Sequence, residues 1–133
     1  MKRTLAKWRN ACEEDLESLV SSTQGVQSSA VVTGDGFEVA SVFRREISGE
    51  KLAAMASSLL ALSEAMTREF GMSTCRNVIV ESEAGMLVAL RVPVPDADLV
   101  MVVLCNVAST LGTVLFAARE CAASIGDRLS VPA

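Results

Sequence analysis

Residues Gly49–Gly71 read GEKLAAMASSLLALSEAMTREFG. At about 100° per residue, Leu52, Met55, Ala56, Leu59, Leu62, Met66 and Phe70 fall on one wide apolar stripe of a single long helix. Such a stripe is expected to lie on a sheet. Ala54, Ser58, Ala61 and Ala65 run along the opposite side at spacings of four, three and four. Small residues so spaced let a second backbone come close. Alanine also fills exposed helix faces because it is the best helix former, so this stripe reads either as a helix contact or as filler. No other helix of the chain is left over to cover it, which favours the contact. Lys51, Glu64 and Arg68 occupy the flanks, and Glu64 and Arg68 are spaced to pair one turn apart. Ser48 is placed to cap the start of the helix, and Gly71 to end it.

Upstream, Ser29–Thr33 and Phe37–Phe43 flank Gly34-Asp35-Gly36. A Gly/Asp turn between β-branched segments signals a hairpin. The glycines lack the spacing of a phosphate-binding loop. Downstream, three strands follow at Cys75–Ser82, Met86–Val92 and Leu99–Cys105, joined by short turns that imply an antiparallel meander. Leu99-Val-Met-Val-Val-Leu104 is apolar without alternation, the mark of a strand buried on both faces and therefore central. Cys75–Ser82 is more polar and suits an edge. A first amphipathic helix is expected from Lys7 to Ser22, with Leu5, Trp8, Cys12, Leu16, Leu19 and Val20 inward. A last helix is expected from Thr110 to Ile125, with a short tail from Asp127; Phe116, off its apolar stripe, is expected either to touch the first helix, the preferred reading, or to lie exposed.

Composition narrows the function. The 133 residues are 50% hydrophobic with a net charge of −4, which fits one globular domain with a substantial core. That charge gives no footprint for nucleic acid or for anionic lipid. No apolar run approaches the roughly 20 residues of a membrane span. The N-terminus lacks a secretory core, so a cytoplasmic protein is expected. The four cysteines are scattered and there is no histidine, so no usual zinc site and no cofactor is expected. No His, nucleophile elbow or paired-carboxylate constellation supports an enzyme.

The expected order is helix, hairpin, long helix, meander, helix: an α+β fold with a five-stranded antiparallel sheet and helices on both faces, spanning residues 1–133 as one domain. The first and last helices are placed on one face and the long helix alone on the other. One helix is about 10 Å across, and five strands at about 4.8 Å spacing need twice that. A second copy, with its sheet continuous through the edge strand, would cover the remainder. Ala54, Ser58, Ala61 and Ala65, with Val78 and Val80 on the edge strand, are the expected dimer contacts.

The segments SSAVVTGDGFEVASV, KLAAMASSLLALSEAM, RNVIVESEAGMLVALRV and STLGTVLFAARECAASI resemble the Roadblock/dynein light-chain family, in its bacterial GTPase-regulator branch. The resemblance spans about Glu13–Ile125. It is carried by Asp35-Gly36, the Ala/Ser-rich helix, Arg91 and Leu111-Gly112. Ser109-Thr110 stands where many relatives have asparagine before Leu-Gly. The resemblance implies a homodimer whose paired long helices bind a small Ras-like GTPase without enzymatic activity. Ser57, Glu64 and Arg68 are the expected partner contacts, with Arg68 as an arginine finger a lesser option. The alternative is a PAS-like small-molecule sensor, with a cavity lined by the Leu52/Met55/Leu59/Leu62/Met66 stripe.

Overall fold

The computed structural model describes residues 2–130, and for residues 2–5 the course of the backbone alone. In chain order the elements are α1 (Lys2–Ser22), β1 (Val26–Thr33), β2 (Glu38–Phe43), α2 (Gly49–Glu69), β3 (Asn77–Ser82), β4 (Gly85–Val92), β5 (Leu99–Asn106) and α3 (Leu111–Leu129). The expected inward side chain of Leu5 and the tail residues 131–133 lie outside the described residues.

The five strands form one sheet in the order β2-β1-β5-β4-β3, with every neighbouring pair antiparallel. β5 is central, and six of its eight residues are buried, as its unbroken apolar run requires. β3 is an edge, and four of its six residues are exposed. The hairpin between β1 and β2 closes at Gly36, whose φ of 96° suits glycine. Thr33 N–H donates to Phe37 O at 2.7 Å, and Phe37 N–H donates to Thr33 Oγ1 at 2.9 Å. Ser48 caps α2 by accepting from Lys51 N–H at 3.2 Å.

Each sheet face carries its own core. On one, Cys12, Leu16 and Leu19 of α1 and Val114, Ala118 and Ile125 of α3 pack with Val31, Val88, Met101 and Val103. Each large side chain so buried contributes about 1.5–3 kcal/mol. Asp15 joins the two helices: Ser124 Oγ donates to its carboxylate at 3.0 Å, and Arg128 Nε lies 3.2 Å away. Phe116 is 69% exposed, the second of its two expected placements. It sits off the Val114/Ala118/Ile125 stripe and lines the groove between α1 and α3.

Among the described residues α2 alone covers the other face, and here the expected orientation is corrected. Ala53, Ala56, Ser57 and Leu60 are the buried residues of α2. Met55, Leu62 and Met66 are 66%, 61% and 52% exposed, and Phe70 is also exposed. The sheet beneath offers Ala30, Val32, Ala89, Val100 and Val102. Small side chains on both surfaces let helix and sheet come close, and only Leu60 adds bulk. A stripe of methionines facing that sheet would hold the helix further out. Of the residues proposed to line a sensor cavity, Met55, Leu62 and Met66 point away from the sheet, while Leu52 packs at the edge of its core and Leu59 is half-buried.

Among the described residues one buried hydroxyl is unsatisfied: Ser29 Oγ is fully enclosed without a hydrogen-bond partner. Its neighbour Ser28 Oγ accepts from Arg44 N–H at 3.3 Å. An enclosed orphan hydroxyl costs about 1–3 kcal/mol. Ser29→Ala is expected to raise the urea unfolding free energy by about 1 kcal/mol, and Ser28→Ala to lower it.

Candidate interaction surface

α2 touches all five strands, so it crosses the sheet. Its start lies against β2, where a Cβ on Gly49 would meet the Glu38 carboxylate. Near Ala54 and Ser57 it passes the hairpin tip, where a Cβ built on Gly36 would stand 3.5 Å from Ser57 Oγ and 3.6 Å from Ala54 Cα. Further on, Glu64 reaches β4, where Arg91 Nε donates to its Oε2 at 3.1 Å and Nη2 to its Oε1. Arg91 also pairs with Asp98, whose backbone carbonyl accepts from Gly34 N–H at 2.8 Å. One arginine thus joins α2, the hairpin tip and the β4–β5 connection. The expected Glu64–Arg68 pair is replaced by this link, because Glu64 faces toward the sheet and Arg68 does not.

These contacts lie at one end of the strands, where Thr33 pairs with Leu99 and Leu99 with Val92. The other end is left bare on the same face. There the cross-sheet row Val80, Leu87, Leu104, Ser28, Phe43 runs one rung beyond the residues under α2. Val80 is 43% exposed, and Leu87 and Leu104 are half-buried. With Ile47 and Arg45 they line an open cleft of about 360 Å³. Stepping 100° per residue, the flank of α2 opposite the hairpin tip carries Leu52, Leu59 and Met66, so that flank borders the cleft.

The expected site residues divide accordingly. Ala54, Ser58, Ala61 and Ala65 are exposed on the outer side of α2. Val78 is half-buried and Val80 exposed on the unpaired edge of β3. Arg68 is exposed. Ser57 is corrected: it is buried, and its hydroxyl donates to Ala54 O at 3.1 Å, which leaves it no surface to offer a partner. Periodicity places Met55, Leu62 and Met66 in the core, yet they stand on the outer surface. The available signal is the width of the apolar arc, larger than one face of a helix can bury. Among the described residues, no three His, Cys, Asp or Glu side chains are gathered as a metal ion would need. None of the described helices is long and apolar enough to cross a membrane.

A five-stranded antiparallel sheet, with a helix pair on one face and a single crossing helix on the other, is the α+β architecture of the roadblock domain. The chain belongs to the Roadblock/LC7 domain family, whose model matches residues 13–104. It is 28% identical over 106 residues to the uncharacterized protein MJ1340 of Methanocaldococcus jannaschii, covering 80% of this chain and 90% of that one. The Roadblock/LC7 domain from Streptomyces avermitilis superposes with a TM-score of 0.80 at 19% identity, covering 90% of this chain and 98% of that one. The gliding protein MglB from Thermus thermophilus gives 0.80 at 16% identity, covering 92% and 90%.

Proposed function

We propose that this protein is a non-enzymatic homodimeric regulator of a small Ras-like GTPase, acting through paired α2 helices. The observation that carries the reading is the outward stripe of Met55, Leu62 and Met66. It lies beside an unpaired β3 edge and a bare strip of sheet. Exposed apolar surface of that extent, continuous with an open strand edge, marks a binding face. Membership of the roadblock family supports the GTPase as partner.

In the dimer the two β3 strands pair through Val78 and Val80. The hairpin tip occupies the Ala54 side of α2, so the mate's helix comes in along Met55, Leu59 and Met66. Ala54, Ser58, Ala61 and Ala65, with Arg68 and Glu69 at their end, then form a flat crest that suits the GTPase surface. Glu64 holds the crest in place through Arg91. The dimer acts by binding one nucleotide state better and shifting the switch segments toward it.

Two variants separate the two surfaces. Met66→Glu places a charge in the seam of each copy. It is expected to weaken dimerisation at least about 100-fold by sedimentation equilibrium. The folding of the protomer should change by less than about 0.5 kcal/mol, because the side chain is exposed there. Ala61→Arg is expected to leave the dimer intact and to abolish capture of a Ras-like GTPase from the same genome. That GTPase is presented loaded with GDP or with a non-hydrolysable GTP analogue. Equal retention of the GTPase by native protein and Ala61→Arg, or retention of none in either state, removes the reading.

A further inference from the structure

α2 ends with exposed apolar bulk. Phe70 and Met72 are 70% and 67% exposed, and Ser63, Glu64 and Thr67, on the side that continues toward the sheet, are only half-buried. The last turns of α2 thus overhang the β3 margin. The overhang leads into Cys75 and the Asn77 end of β3. The bare cleft of Val80, Leu87, Leu104 and Ile47 lies at the Ser82 end. Within one chain the knob and the cleft sit at opposite ends of the same strand.

We infer that Phe70 and Met72 of one copy seat in the Val80/Leu87/Leu104/Ile47 cleft of the second copy, so that each cleft is complete only in the dimer. The inference rests on the β3-paired dimer proposed above and follows from its symmetry. Two β3 strands paired antiparallel about a two-fold axis bring the Asn77 end of one beside the Ser82 end of the other. An axis normal to the sheet keeps both α2 helices on the same face. The end of each α2 therefore comes over the mate's cleft, apolar side chains onto apolar floor. Both clefts are filled at once by the same two residues. Arg45 and Gln27 at the rim stay with the solvent.

The test is a mixed dimer of one ¹³C-labelled and one unlabelled copy, read by isotope-filtered NOE spectroscopy and sedimentation. Cross-peaks from the Phe70 ring and the Met72 methyl to methyls of Val80, Leu87 and Leu104 across the two copies are expected. A dimer without those cross-peaks overturns the seating and leaves the dimer standing. Sedimentation at the protomer mass at every concentration overturns both. As a second reading, Phe70→Ser combined with Met72→Ser is expected to weaken dimerisation about 30-fold, with the melting of the protomer unchanged. A change of no more than about twofold overturns the seating.

Discussion

Gly126→Val is expected to lower the melting temperature by about 10 °C, whereas Gly112→Ala on the same helix is expected to raise it by about 3 °C. A Cβ built on Gly126 would stand 2.5 Å from Pro93 O and 3.0 Å from Pro93 Cγ. α3 therefore lies with bare backbone on the exit of β4, and the carbonyl it touches is main chain that cannot swing aside. Overpacking of this kind costs about 3 kcal/mol, or about 10 °C for a chain of this size. At Gly112 nothing lies within 4 Å of the added carbon, so alanine gains up to about 1 kcal/mol of helix propensity without a clash. Thermal unfolding followed by circular dichroism reads both. A Gly126→Val protein as stable as the native chain would show that α3 does not rest on Pro93.

The second large effect is alkaline. Burial pushes the Cys12 thiol up from 9.0 to about 12, with the Asp15 and Glu13 charges adding to it. Burial likewise pushes Cys121 up to about 12, with Asp15 and Cys12 adding. In the unfolded chain both thiols lose their protons near pH 9, while in the folded chain they keep them to about pH 12. Between those values the unfolded state binds fewer protons, so stability present below pH 9 is lost as pH rises. Each thiol contributes a slope of about 1.4 kcal/mol per pH unit. The pair together removes about 5 kcal/mol between about pH 9 and pH 11. Urea unfolding across that range is expected to show a slope at least halved by Cys12→Ala combined with Cys121→Ala. An unchanged slope would place the loss on other groups.

Much of this fold is legible in the sequence because its signals are local. The unbroken Leu99–Leu104 run marked the central strand, Gly34-Asp35-Gly36 the hairpin, and Ser48 the start of α2. The orientation of α2 was not legible. Periodicity shows that a helix has apolar faces but not which of two neighbouring layers each will meet. The choice was settled by Ala30 and Ala89, residues of strands far from the helix in sequence, whose small size admits Ala53 and Ala56 and excludes Met55. Glu64 escaped for the same reason: Arg91 lies 27 positions away, whereas Arg68 is one turn along. The edge strand and the Ala/Ser stripe of the candidate surface were readable. The methionine stripe beside them, and the burial of Ser57, required the sheet.

The junction between β1 and β5 bears on how the chain acquires this shape. Ala30 meets Val102 there, about 70 positions away, and among the described residues only this β1–β5 ladder joins the hairpin to the meander. Each half is made of short-range turns and can form quickly. Neither half covers its own apolar faces until the long loop containing α2 closes. That closure carries the main entropic barrier. Acquisition of structure is therefore expected to wait on this one long-range zipper, with an open hairpin and an open meander as the species that precede it.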